Sequence, residues 1–223
     1  PFAASIGYTG AIWVLLTQLD KLLLSKVLTL GEYGYFTLVA SVVSGLTLIA
    51  GPVSKAILPR MTAMLADGDS SGMLKLYRRS TRFIIAVVAP VTMVIAFYPE
   101  ALIFAWTGDV QAAIWAAQIM PLFALGSGLL TVIGFQYYLQ YAHGIMKYHV
   151  AYNTFSVIVN VPLIFYLVFE FGALGAAWLW LGFRAFGLLF WVPFIHHKFA
   201  PGLHLKWLFK DVLPGFALSV ALV

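Results

Sequence analysis

The chain contains no cysteine among its 223 residues, and only 9% of them are charged. Without cysteine there is no disulfide framework, thiol nucleophile or cysteine-ligated metal. A soluble domain carries about 25% charged residues, so this composition excludes an ordinary soluble protein. The sequence also lacks a glycine-rich phosphate loop, a metal-binding His/Glu pair and a serine elbow. We therefore expect no cofactor, no metal site and no enzymatic activity.

What the chain has instead is long apolar segments. Hydrophobic residues make up 62% of the sequence, and the mean hydropathy is +0.95. A transmembrane helix needs about 20 apolar residues, and no segment shows the alternation of a membrane β-barrel. The sequence therefore predicts an all-α polytopic transmembrane bundle, with six full spans and the start of a seventh. These spans are residues 4–27, 34–58, 81–98, 112–138, 150–169, 172–194 and 208–223.

The basic residues lie mostly in alternate connections between these spans. Because Lys and Arg mark cytoplasmic loops, the basic side is expected to be cytoplasmic and span one to run outward. This pattern explains the positive net charge without nucleic acid, which we do not expect as a partner. Residues 73–83 form either a short basic helix on anionic lipid or a plain topogenic loop. The cytoplasmic-side residues are Arg60, Lys75, Arg78, Arg79, Arg82, Lys147, Lys198, Lys206 and Lys210.

Two adjacent charges interrupt the first span. Asp20 and Lys21 are separated by about 100° around the helix, so they do not face each other. Ionisable residues inside a membrane span are costly and are functional hypotheses by default. The two either form a structural or snorkelling pair at the outer interface or line a polar cavity.

Arg184 falls near the middle of the sixth predicted span. A charge there costs about 2.5–3.5 kcal/mol on the insertion scale, so it is expected to face the bundle interior. One interpretation is a buried pair with Asp20. The other is a cationic site for an anionic substrate, because guanidinium binds phosphate bidentately.

Other polar residues have two interpretations each. Lys55 either snorkels to the headgroups or forms a basic cytoplasmic mouth with Arg60. Gln136 with Gln140, and Asn153 with Asn160, lie on single helix faces. These amides serve either as hydrogen-bond links between helices or as sugar contacts. The histidines near the C-terminus lack the spacing of a zinc site and are predicted to be loop residues; they are His196, His197 and His204.

Five spaced segments of the sequence form a familiar pattern: residues 18–26, 31–40, 58–62, 141–153 and 171–177. Together they resemble the second half of bacterial polysaccharide flippases. The family comprises the O-antigen and exopolysaccharide lipid-carrier flippases, which belong with the multidrug and toxin extruders in one exporter superfamily.

The resemblance implies a multi-pass protein of the bacterial cytoplasmic membrane that works by alternating access. Its substrate would be an undecaprenyl-pyrophosphate-linked oligosaccharide, with membrane lipids and a coupling ion, H⁺ or Na⁺, as further partners. Residues 1–223 would be the second of two helical lobes, and we expect the chain to be a fragment truncated at both ends. The cationic cavity candidates under this resemblance are Lys21, Arg184, Lys55 and Arg60.

Two alternatives stay open at this point. A drug/cation antiporter of the same superfamily would favour an acidic cavity. The charged cavity candidates within the predicted spans are instead one acid, Asp20, and three cations, Lys21, Lys55 and Arg184. A membrane O-antigen polymerase or ligase would need sizeable outer loops with catalytic groups, and the sequence predicts short ones.

Overall fold

The computed structural model describes the backbone of residues 2–223 and the side chains of residues 6–223. Helices account for 91% of the structure, which confirms the predicted all-α membrane helix bundle. Two π-helical segments, Gly187–Trp191 and Leu208–Val212, interrupt the α-helices. The α-helices are α1 Phe2–Val27, α2 Leu30–Ala66, α3 Ser70–Phe97, α4 Pro99–Thr107, α5 Val110–Ala117, α6 Met120–Ile133, α7 Phe135–Ala142, α8 Lys147–Phe186, α9 Val192–Phe199, α10 Leu203–Trp207 and α11 Leu213–Ala221.

Polar caps fix where several helices begin. The Thr29 hydroxyl accepts a bond from the Glu32 backbone N–H at 3.3 Å, and the Glu32 carboxylate accepts the Thr29 N–H at 2.9 Å. This reciprocal capping box satisfies two orphan donors of α2. The Asp109 side chain accepts the backbone N–H groups of Gln111 and Ala112 and so caps α5 from one side only.

Helix α8 contains a reversal at Gly172. Its φ of 57° and ψ of −137° lie in a region that is essentially restricted to glycine. The chain folds back so tightly that a side chain at Gly175 would collide with the Leu167 carbonyl. Further along, the rings of Tyr152 and Trp191 stack with centroids 4.7 Å apart. The run therefore forms two antiparallel passes, as predicted for spans five and six.

Four helical runs are long and apolar enough to cross a membrane. Because the last of them contains the reversal at Gly172, they cover the second to sixth predicted spans. The segments predicted as spans one and seven are also helical, in α1 and in the run from α10 to α11. The four runs are Leu30–Ala66, Ser70–Phe97, Met120–Ala142 and Lys147–Phe199.

Two predicted boundaries differ from the structure. Residues 73–83 are not a separate surface helix but the first turns of α3, because Met73 and Tyr77 are buried in the core. The fourth span begins at Met120 rather than at residue 112, since Pro121 starts a new helix after a break. The segment before it is not a short loop, because α4 and α5 pack together there.

The run formed by α6 and α7 is the centre of the bundle. It packs on α2, α3 and α8, and most of its residues are buried. On the outside, α1 packs on α8 and α11 packs on α3. Few residues of the α8 hairpin are buried, so it presents most of its surface outward. This arrangement brings α1, α2, α6, α7 and α8 around one set of cavities.

Candidate functional site

Arg184 lies on the second pass of the α8 hairpin. It is twelve residues beyond Gly172, roughly 18 Å along a helix that rises about 1.5 Å per residue. The hydrocarbon core is about 30 Å thick, so the guanidinium is held away from both surfaces. Its Nε is buried and has no hydrogen-bond partner among the side chains described.

Two indole rings, rather than a carboxylate, accompany this cation. The Arg184 guanidinium carbon lies 4.4 Å from the Trp180 ring centroid and 5.9 Å from that of Trp13. Within residues 6–223, the ion pairs join Arg78 and Arg82 to Asp211. A direct pair between Arg184 and Asp20, one of the two interpretations from the sequence, is therefore wrong.

The cation–π contacts of Arg184 do not make up for its missing hydrogen bonds, so the side chain can still bind a ligand. A cation–π contact contributes about 0.5–2 kcal/mol, and each buried donor left without a partner costs about 1–3 kcal/mol. The rings offset part of the cost of burying the charge but accept no hydrogen bond in the guanidinium plane. An anionic group in the adjoining space would supply the missing acceptors.

That space is a cavity of about 290 Å³, which we call the arginine cavity. It lies between α1, α6, α7 and α8. Gln136 and Asn153, both predicted from the sequence as polar candidates, line it together with Arg184. The Asn153 side-chain amide donates to the His149 carbonyl at 2.8 Å, which leaves its oxygen as an acceptor. Gln136 accepts from Gln140 at 2.5 Å, so its own amide group remains a donor.

A second, small cavity of about 40 Å³ separates Arg184 from Asp20. Asn160 also lines it, and its amide donates to the Ser156 carbonyl on its own helix. A water needs about 10–15 Å³ of such volume, so this space holds water-sized groups between the two charges. Asp20 and Arg184 thus face a common space without touching.

Asp20 and Lys21 line a third cavity of about 230 Å³, between α1, α2 and α6, which we call the Asp20–Lys21 cavity. The Asp20 carboxylate accepts the Lys21 backbone N–H at 2.8 Å, and both residues are half-buried. Thr17, on the same face of α1, lies beside them. Of the two interpretations from the sequence, this placement favours a polar cavity over a pair at the interface.

The largest of these spaces, about 650 Å³, contains Lys55. We call it the tyrosine cavity because Tyr137, Tyr138 and Tyr141 form one wall. Trp13 contributes to the arginine, Asp20–Lys21 and tyrosine cavities. The three are therefore grouped around a single indole on α1.

Two predicted candidates lie outside these four cavities. Arg60 is exposed near the end of α2. Gln140 is completely buried and donates to Gln136, which confirms that the two amides share a helix face. Gln140 therefore supports a residue of the arginine cavity without lining it.

The structure adds residues that the sequence did not single out. His149 lines both the arginine and tyrosine cavities, and its Nδ1 is buried without a partner in the described part of the chain. It lies one helical turn before Asn153, so extending that polar face backwards would have found it. No sequence pattern singled out Trp13 or Trp180, because a tryptophan in an apolar helix is usually a packing residue.

The prediction that His196, His197 and His204 are loop residues is wrong, because the first two lie in α9 and the third lies in α10. His196 is completely buried, and its Nε2 is 2.8 Å from the Tyr77 hydroxyl. Its Nδ1 is 3.1 Å from that of His204. Nearby, Trp207 donates to Thr81 at 3.1 Å. These contacts form a structural polar network between α3 and the C-terminal helices, away from the four cavities.

The fold and the cavities define a multi-pass membrane protein with a polar, partly charged interior. A model of the family described as polysaccharide biosynthesis protein matches residues 2–114, half of the chain. The chain belongs to this family, which confirms the resemblance found in the sequence. No curated protein and no solved structure matches it.

Proposed function

We propose that this protein moves an undecaprenyl-pyrophosphate-linked oligosaccharide from the cytoplasmic to the outer leaflet by alternating access. The chain would form the second lobe of the transporter, facing a partner lobe across the cavities, in the bacterial cytoplasmic membrane. The observation that carries the proposal is Arg184, whose buried Nε lies beside a 290 Å³ cavity and which has no acidic partner among the described residues. A diphosphate supplies the acceptors that its guanidinium lacks.

The charges around the cavities support an anionic substrate over a cationic one. In the described part of the chain, Asp20 is the single acid that lines the four cavities, whereas Lys21, Lys55 and Arg184 are cationic. A cation antiporter would gain little from an interior with this balance.

The polymerase or ligase alternative finds little support in the connection between α3 and α6. The acids of this connection are Glu100, in α4, and Asp109, the residue before α5. The Asp109 carboxylate accepts two backbone N–H groups of α5, so it is committed to capping. Catalysis would need a free acid or base in this segment with a partner within hydrogen-bond reach. Glu100 is the acid that remains, and no hydrogen bond joins its side chain to another described residue.

The test compares three variants in a strain that lacks the chromosomal gene. Arg184→Ala should abolish surface polysaccharide while membrane insertion is unchanged. Arg184→Lys should restore part of it, because the charge remains while the bidentate geometry is lost. Arg79→Ala removes an exposed cation from α3 and should have no effect. Normal polysaccharide with Arg184→Ala would overturn the proposal.

A further inference from the structure

The tyrosine cavity adjoins the arginine cavity directly. The two share Trp13, Tyr137 and His149 in their linings. The Tyr137 ring packs against His149 with centroids 4.8 Å apart. A ligand whose charged end occupies the arginine cavity would therefore continue past these three side chains into the tyrosine cavity.

The wall of the tyrosine cavity is aromatic and hydroxyl-rich. Tyr137 lies 5.9 Å from Tyr141 and 6.0 Å from Tyr138, measured between ring centroids. Tyr138 is hydrogen-bonded to Ser54 and joins α7 to α2, whereas Tyr137 and Tyr141 are half-buried at the cavity surface. Its 650 Å³ lies within the range of about 300–1,000 Å³ for small-molecule sites.

His149 supplies an independent sign of a ligand. Its Nδ1 is buried and lacks a hydrogen-bond partner among the described residues. Buried polar atoms are normally paired. We therefore expect a ligand in the space where the arginine and tyrosine cavities meet to form a hydrogen bond with this nitrogen. A hydroxyl group serves either way, since it can both donate and accept.

We infer that the tyrosine cavity is the saccharide subsite and that His149 contacts the sugar nearest the diphosphate. This inference rests on the proposed function and adds a location for the sugar portion of the substrate. Tyr137 and Tyr141 offer rigid apolar faces against the C–H surface of a pyranose ring and hydroxyl groups for its edges. Among the described residues no acid lines this cavity, and Lys55 is exposed at its edge. The subsite thus accepts neutral and acidic sugars.

The experiment measures the affinity of the full-length protein in lipid nanodiscs for two lipids. One is undecaprenyl diphosphate without sugar, and the other carries its oligosaccharide. The variants are Tyr137→Leu and His149→Phe, with Tyr166→Leu as a matched control. The phenylalanine keeps an aromatic ring at position 149 but removes both ring nitrogens. Tyr166 is exposed on α8 and lies outside these cavities. Thermal unfolding identifies folded variants, and His149→Phe carries the test if Tyr137→Leu does not fold.

We expect wild-type protein to bind the sugar-bearing lipid about tenfold more tightly than undecaprenyl diphosphate without sugar. Each cavity variant should lose about tenfold for that lipid and at most about twofold for the sugar-free one. Equal losses for both lipids, or no loss, would overturn the saccharide subsite while leaving the diphosphate site intact. If neither lipid binds wild-type protein, or if Arg184→Ala binds both normally, the proposed function itself fails.

Discussion

Arg78 and Asp211 form a two-point ion pair that joins the first turns of α3 to the π-helical segment before α11. Arg78 Nε lies 2.6 Å from Asp211 Oδ2, and its Nη2 lies 3.0 Å from Oδ1. The Asp211 side chain is completely buried, and Arg82 approaches it at 3.5 Å. The interaction holds the last helical run against α3.

Removing this carboxylate should destabilise the bundle. In Asp211→Ala the two arginines lose their partner, but both are partly exposed and can turn to solvent. We therefore expect a loss of about 1–3 kcal/mol in the free energy of unfolding, below the cost for a fully buried pair. Thermal unfolding in detergent measures it. Lys210→Ala, at the exposed neighbouring position, should be neutral, and equal stability of the two variants would contradict the prediction.

A side chain at Gly172 should destabilise the reversal. Its backbone geometry lies outside the regions open to other residues, so Gly172→Ala is expected to cost about 1–3 kcal/mol. Gly182→Ala is the matched control, because nothing lies within 4 Å of its added methyl group. In a regular helix that change should be neutral or stabilise by up to about 1 kcal/mol. Melting temperatures that move in the same direction for both variants would refute this interpretation of the reversal.

The Tyr77 hydroxyl should stabilise the protein through His196. Tyr77→Phe keeps the buried ring but leaves His196 Nε2 without its 2.8 Å partner. A buried polar atom that loses its partner costs about 1–3 kcal/mol. Chemical denaturation followed by tryptophan fluorescence provides the measurement, and Tyr166→Phe, at an exposed site, is the control. Unchanged stability of Tyr77→Phe would show that the contact contributes nothing.

Asp20 should weaken anion binding rather than support it. Asp20→Asn removes the negative charge that faces the same small cavity as Arg184. At an effective dielectric constant of about 20, removing the repulsion between this carboxylate and a bound diphosphate improves the free energy of binding by about 1 kcal/mol or more. This corresponds to a roughly fivefold gain in affinity for undecaprenyl diphosphate. Binding in nanodiscs tests this, with Asp67→Asn at an exposed turn as the control. A fall in affinity would instead assign Asp20 a direct role in binding.

The sequence predicted the helical passes well because apolar length alone decides them. Arg184 could also be found, since a guanidinium within a membrane helix needs a special environment. The alternatives for Asp20 and Lys21 could not be resolved, because helical periodicity gives the angle between residues but not which neighbour stands opposite. The packing of α1 on α2 and α8 supplied that information.

Tertiary packing explains what the sequence did not predict. His196 lies next to His197 and Lys198 and near Pro201 and Gly202, a composition typical of loops. Its burial depends on Tyr77, 119 positions away in the chain. The position of His149 on the polar face that carries Asn153 can be read from the sequence, but the environment of its ring cannot. Its unpaired nitrogen becomes apparent only once α1, α7 and α8 enclose it.

The single-residue turn at Gly172 has a consequence for how this protein enters the bilayer. Because a single residue joins the two arms of the hairpin, neither arm can change its depth or tilt independently of the other. We expect both arms to enter the bilayer together, because moving one arm by a helical turn would move the other arm and Arg184 with it. The position of Gly172 would then fix the depth of the Arg184 charge.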